Sequence, residues 1–279
     1  MVSPYRLCIL AGAGDLPFRV YEGAQEDSRY RGQSIVLAIR GVTNPSWLGV
    51  GVPHRWTKLI GLVGALEGLR EEGVSSLVMA GALKRPSLAS FLGKVDRRTL
   101  SVAKRVLSGA YGDDAVLRRA IEVMEEAGYE VLGVEDVMGK SFASLGVWGT
   151  EVADAQALAD VKRGIEVVLA LGVLDVGQSV IVQQGMVLGV EAIEGTHALI
   201  ERCKGLHREG VGGVLVKLQK PKQERRADLP VIGVHTVRAC GACGLRGMAV
   251  EAGSVLVIDR ESVIAEANRR HLFVMGVDA

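Results

Sequence analysis

The chain has 279 residues, 48% hydrophobic and 23% charged, a composition that excludes a disordered protein. Its 33 Lys and Arg against 32 Asp and Glu leave a net charge of +1, which lacks the basic excess of a nucleic-acid binder. The length is enough for one large domain or two ordinary ones, and at 4% aromatic residues the cores must be aliphatic.

From the N-terminus, Arg6–Leu10 reads as a strand, and A-G-A-G-D-L-P follows as a glycine loop opening a helix. Ser34–Ile39 is a second apolar strand. Leu59, Leu62, Val63, Leu66 and Leu69 mark one face of a helix, and Ser76–Gly81 is a third buried strand. A further helix carries Leu117, Ala120, Ile121 and Met124 behind Gly112-Asp113-Asp114, and Tyr129–Val134 is again a strand. Strands alternating with helices predict a Rossmann-like parallel sheet over residues 1–134. The rhythm is lost over 135–152, which reads as a linker.

The remainder, 153–279, mixes hairpins with helices and is expected to be a second α/β domain on a mixed sheet. Leu158 to Leu169 mark a helix face, Gln178–Gln184 and Val187–Ala192 are strands around a Gly185 turn, and a helix follows Thr196. Gly213–Leu218 is a strand and 234–243 a helix. A hairpin through Glu251-Ala252-Gly253, a helix over Glu261–Arg270 and a strand over Leu272–Val277 complete the pattern. The first apolar run, Leu7–Ala13, is too short and poorly flanked for a targeting signal. No run approaches the roughly 20 apolar residues of a membrane span. The protein is therefore expected in the cytoplasm, at most peripheral on a membrane.

Cys240 and Cys243 form a lone C-x-x-C late in a predicted helix, and the five histidines show no paired ligand spacing, so reduced structural thiols are expected. Four segments carry chemistry. Gly12-Ala13-Gly14 is either a tight strand-to-helix turn or a phosphate contact at a helix N-terminus. The full dinucleotide fingerprint is missing, with Pro17 at the third glycine position and Arg40 where an acid should end the second strand, which weakens an oxidoreductase reading. Arg85, in the loop after the third strand, suits a phosphate by its planar fork. Asp113 and Asp114 either complement a helix dipole or hold Mg²⁺. The run K-L-Q-K-P-K-Q-E-R-R-A-D-L-P-V-I-G from Lys217 to Gly233 crowds cations into a proline-broken loop and sets Asp228 beside them. It is either a solvated loop or a pyrophosphate site whose carboxylate binds Mg²⁺ or orients water. Thr196, in E-G-T, is an N-cap or a phosphate contact.

Taken in order, these segments resemble one family. A-G-A-G-D-L-P, A-G-A-L-K-R-P at 80–86, G-D-D at 112–114, L-D-V-G-Q at 174–178, V-E-A-I-E-G-T at 190–196 and V-K-L-Q-K-P-K-Q-E-R-R-A-D-L-P-V-I-G at 216–233 look like the LpxI-type UDP-2,3-diacylglucosamine pyrophosphatases of lipid A biosynthesis. V-E-A-G at 250–253 and D-R-E at 259–261 complete the match, which covers nearly the whole chain. The resemblance implies two domains with substrate held in the cleft between them. It also implies Mg²⁺-dependent hydrolysis of UDP-2,3-diacylglucosamine to UMP and 2,3-diacylglucosamine 1-phosphate. It assigns the essential aspartate to Asp228 and the substrate-binding lysines, glutamine and arginine of that segment to Lys217, Lys220, Gln223 and Arg226. Transient contact with the inner-membrane surface and a homo-oligomer are further expectations. His197 stands where the pattern has Asp, and Arg225 where it has an uncharged residue. The contrasting reading is a non-catalytic nucleotide-sugar or phospholipid binding protein of the same descent.

Overall fold

The computed structural model describes residues 4–49, 51–83, 97–107, 113–139, 141–221 and 223–279. Arg85 lies outside the described residues, as does the side chain of Asp113. The chain forms two compact units, one of residues 1–140 and 224–228, the other of 141–223 and 229–279.

The first unit contains β1 (Leu7–Ala11), α1 (Leu16–Glu26), β2 (Ser34–Ile39), β3 (His54–Thr57), α2 (Leu62–Glu71), β4 (Ser76–Ala80), α3 (Arg97–Leu107), α4 (Asp113–Glu126), β5 (Glu130–Leu132) and α5 (Val134–Met138). Among the described residues its strands form one parallel sheet in the order β3-β2-β1-β4-β5. The order runs outward from β1 in both directions, so β1 and β4 flank the topological switch point, where such sheets place their ligands. β1, β2 and β4 are buried along their whole length, because helices cover both faces of a parallel sheet. The core gathers Leu10, Leu37, Leu69, Leu77 and Ile121, each buried at 0–1% exposure and each contributing about 1.5–3 kcal/mol of transfer free energy. An apolar groove of about 570 Å³ lies along α2, α3 and α4, with Leu62, Val102, Val106, Val116 and Met124 in its lining.

β3, α3 and α5 are additions to the sequence reading. β3 is the edge strand, H-R-W-T, and an edge needs no continuous apolar run. α5 occupies the start of the stretch expected to be a linker. Val134 and Val137 are buried there, and Asp136 Oδ2 accepts the Gly133 N–H at 2.9 Å to start the helix. The first unit therefore runs on to residue 140 instead of ending at 134.

The second unit contains β6 (Gly146–Trp148), α6 (Ala155–Val173), β7 (Ser179–Gln183), β8 (Met186–Val190), α7 (Thr196–Cys203), β9 (Val214–Lys217), β10 (Val231–Ile232), α8 (Val234–Cys243), β11 (Gly247–Glu251), β12 (Leu256–Val257), α9 (Arg260–Arg269) and β13 (Phe273–Val277). Its main sheet has the order β6-β13-β11-β9-β7-β8. β11 runs parallel to both β9 and β13, and the other pairs are antiparallel, so the sheet is mixed as expected. Alternate residues serve two cores: Val180, Val182, Val214 and Val216 pack with Val161 and Val168 of α6. Ile181, Leu215 and Met248 pack with Leu199 of α7, Val237 of α8 and Val263 of α9 on the opposite face.

Two sequence readings are corrected here. Residues 141–152 are not a linker, since β6 pairs with β13 and Trp148 is buried, its indole N–H donating to Ser144 O at 2.9 Å. There is also no hairpin through Glu251-Ala252-Gly253. β11 is flanked on both sides by β9 and β13 and has no edge to offer, so the chain turns away and β12 pairs in parallel with β10. No helix among the described residues is long and apolar enough to cross a membrane.

Candidate active site

At the switch point the two glycine loops are joined to each other. The Gly12 N–H donates to Ala80 O at 2.7 Å, the Ala13 N–H to Ala82 O at 2.8 Å, and the Ala82 N–H back to Ala13 O at 3.1 Å. The contact is so close that a Cβ on Gly12 would stand 2.6 Å from Gly81 O. Glycine is therefore required at 12 for backbone approach. The amides of Gly12 and Ala13, expected as phosphate contacts, are spent on this seam. Gly14, exposed at φ +87°, carries the loop into α1, whose first turn contains no acid and whose Pro17 is buried.

In the second unit a buried polar cluster forms at the carboxyl end of β9. Lys217 is the last residue of that strand, 6% exposed, opposite Ser179 of β7. Its ammonium donates to Thr196 Oγ1 at 2.9 Å, and the Thr196 hydroxyl lies 3.2 Å from each oxygen of buried Glu191 and 3.3 Å from Ser179 Oγ. One hydroxyl thus links a buried cation to a buried carboxylate, which spares each the cost of isolation in a low-dielectric interior. Thr196 is the first residue of α7 and the cap is Gly195, at φ +82°, so the expected N-cap role passes to the glycine. His197, next in line, is exposed. Further along the same segment, Lys220 Nζ pairs with Asp175 Oδ1 at 2.7 Å. Buried Gln223 accepts the Lys220 N–H at 3.1 Å and donates to Gln178 Oε1 at 3.3 Å.

Lys217 and Thr196 are thus held by one set of polar contacts, with Glu191, and Lys220 and Gln223 by a second, with Asp175 and Gln178. Asp175, Gln178 and Glu191 were not singled out from the sequence. The signal was present, because L-D-V-G-Q and V-E-A-I-E-G-T contain them. Asp175 adopts φ +54°, a left-handed conformation that aspartate tolerates and that costs on the order of 1 kcal/mol.

Residues 224–228 belong to the first unit although the chain on either side belongs to the second. They form a turn in which the Ala227 and Asp228 amides both donate to Glu224 O, at 3.1 and 3.0 Å. Contacts of several kinds fix it. Asp114 Oδ1, in the first turn of α4, accepts the Glu224 N–H at 2.6 Å, while its Oδ2 accepts from Arg118 Nε at 2.8 Å. Ala227 packs against the first unit's apolar core. Arg226 joins Glu224, at 3.0 and 3.2 Å, to Glu125 of α4, at 2.6 Å. That guanidinium holds the Glu224 carboxyl below the usual carboxylate range and is itself pushed up by Glu224. Arg226 was expected on the substrate; its fork is occupied by two carboxylates. Arg225 Nε lies 3.7 Å from Glu135 Oε1. Asp228, half-buried, ends the turn.

Among the described residues no three His, Cys, Asp or Glu side chains converge as a metal cage. Mg²⁺ asks less than a cage, because it keeps several waters and binds through one or two carboxylates together with substrate phosphates. Asp228 has the side-chain chemistry that this demand calls for, and so has Asp114, which already has one N–H on each oxygen. The four cysteines are buried and free, Cys240 and Cys243 lying in the last turns of α8. Burial pushes the Cys243 thiol up to about 11 and Cys8 up to about 12, which suppresses the reactive thiolate.

Comparison with known proteins divides the chain at the same seam as the fold, except that residues 224–228 fall within the C-terminal match. The LpxI N-terminal domain family matches residues 6–141, and the LpxI C-terminal domain family matches 144–275. The chain is 37% identical over 284 residues to the UDP-2,3-diacylglucosamine pyrophosphatase LpxI of Caulobacter vibrioides, covering 98% of both chains. With both domains matched in order and nearly every residue aligned, the chain belongs to the LpxI family.

Proposed function

We propose that the protein hydrolyses the pyrophosphate bond of UDP-2,3-diacylglucosamine, releasing UMP and 2,3-diacylglucosamine 1-phosphate, with Asp228 as the essential carboxylate and Mg²⁺ as the ion. The observation that carries this reading is one run of sequence. Lys217 is fixed by Thr196, Lys220 and Gln223 are fixed by Asp175 and by each other, and Asp228 follows on its own anchored turn, in a chain 37% identical to a pyrophosphatase of that substrate.

Cleaving a diphosphate near neutral pH requires charge neutralisation on the phosphoryl oxygens and an oriented water. Lys217 and Lys220 supply fixed positive charge, and the Thr196 hydroxyl stands at the N-terminus of α7, the positive pole of that helix. Bound Mg²⁺ supplies further neutralisation of the diphosphate. Asp228 provides the carboxylate that either orients the water or ligates the ion. Arg85, beyond the described residues, and Gly14 remain assigned to phosphate binding in this reading.

The test is to incubate the purified chain with UDP-2,3-diacylglucosamine, with and without Mg²⁺, and follow UMP. Wild type is expected to release UMP only with the metal. Asp228→Ala should lose on the order of 10²–10⁴ in rate while still retaining substrate. Full activity in that variant would remove Asp228 from the chemistry. Substrate retention by wild type without any UMP would favour the binding-protein reading.

A further inference from the structure

The geometry points to Asp114 as the positioning residue for Asp228. The inference rests on the assignment of Asp228 to the chemistry and goes beyond it by naming what holds that residue in place. Asp228 ends a five-residue turn that leaves its own sequence neighbours and builds into the N-terminal unit. The turn's first amide, of Glu224, is bound by Asp114 Oδ1 at 2.6 Å, and Glu224 O in turn accepts the Asp228 N–H at 3.0 Å. Two hydrogen bonds and the backbone of one residue, Glu224, therefore separate the Asp114 carboxylate from the backbone of Asp228.

Asp114 is itself held. It lies in the first turn of α4, where a carboxylate is stabilised by the helix dipole, and Arg118, one turn further on, donates to its Oδ2 at 2.8 Å. Its side chain is only 17% exposed. The same helix reaches the turn again near its other end, where Glu125 receives Arg226 at 2.6 Å. The two anchors differ in kind. Arg226 and Glu125 are 37% and 44% exposed, so solvent screens their pair and its contribution is small. Asp114 accepts a backbone N–H, so only one side chain has to be ordered for the contact, and Arg118 holds that side chain by its other oxygen. Asp114 therefore fixes the turn, and Arg226 steadies it.

The first measurement is hydrogen exchange of the 224–228 segment in the full-length protein, which requires no substrate. Asp114→Ala is expected to accelerate exchange of the Glu224 amide, whereas Asp114→Asn, whose side-chain oxygen can still accept that N–H, is expected to keep it protected. Unchanged protection in Asp114→Ala would overturn the inference.

The second measurement is steady-state UMP release. Asp114→Ala should lower kcat by about 10–100-fold, the scale of a misplaced reacting group, with KM within a few-fold of wild type. Asp114→Asn should recover most of the rate. Asn as inactive as Ala, with exchange protection retained, would reveal a need for the charge and would overturn a positioning role. If wild type itself releases no UMP, the proposed function fails while the exchange result still decides whether Asp114 fixes the turn. A general loss of folding in Asp114→Ala would appear as lost protection throughout β1 and β4, and Asp114→Asn then carries the test alone: retained Glu224 protection with near wild-type kcat supports the inference, and loss of either overturns it.

Discussion

Adding a single methyl group at Gly81 would press a carbon against Ala13 O and to 2.9 Å from Pro17 Cγ, at a residue whose φ is +85°. Both objections act at once, since the backbone conformation is strained for any L side chain and the space is already filled by main chain. Gly81→Ala is therefore expected to destabilise the first unit by about 1–3 kcal/mol. A fall in the urea midpoint with unchanged slope would show it, and a wild-type midpoint would mean the two loops can separate freely. The residue scale is also where the sequence spoke most ambiguously. Gly12 and Ala13 were legible as a glycine loop, but not the loop they face, because hydrogen bonds between distant segments leave no local signature. Lys217 and Thr196 were singled out from one motif each, and only the pairing of β7 with β9 explains why they meet. Arg226 was read as a cation facing substrate because its partner Glu125 lies on another element.

Elements were more legible than single contacts, for a reason visible in which ones were missed. β1, β2, β4, β7 and β9 are buried on both faces and write themselves as continuous apolar runs. β3 and β6 are edge strands that need no such run, and α5 has too few residues to show a period. One misreading, a hairpin after β11, came from a sound turn signal in a strand with both neighbours already present. α9 shows how an element can carry a pH dependence unrelated to the active site. Arg269 and Arg270 grip Glu266 at 2.6 Å each and hold its carboxyl down to about 2, against an ordinary value of 4.5. Because the folded value is the lower one, the associated stability is present above about pH 4.5 and is lost as pH falls toward 2. Glu266→Gln should remove that part of the acid-unfolding slope, measured as denaturant midpoint against pH. A slope identical to wild type would show that the grip does not persist in solution.

At the scale of the whole molecule, the partition into a parallel-sheet unit and a mixed-sheet unit was readable from the change in rhythm along the chain. The exact seam was not, because α5 and β6 are short and together disguise residues 135–152 as irregular. Less readable still was the exchange of residues 224–228, in which a segment embedded in one unit's sequence completes the other. Residues 1–140 made alone would lack the Glu224 amide bound by Asp114, the Arg226 bound by Glu125 and the cover that Ala227 gives the core. Their β1 and β4 amides are expected to exchange faster than in the intact protein, and equal protection would show that the docked turn adds nothing to that unit.

The borrowed turn also sets an order of events during synthesis. Many two-domain proteins finish the first domain while the second is still being translated. Here the N-terminal unit lacks residues 224–228 until the ribosome has added the stretch from Lys140 to Asp228, a delay on the order of ten seconds at ordinary elongation rates. Until then α4 and the core lack the contacts of Glu224, Arg226 and Ala227, and Asp228 arrives together with them. A nascent chain stalled before that point holds a first unit with neither its last piece nor the carboxylate proposed for the chemistry.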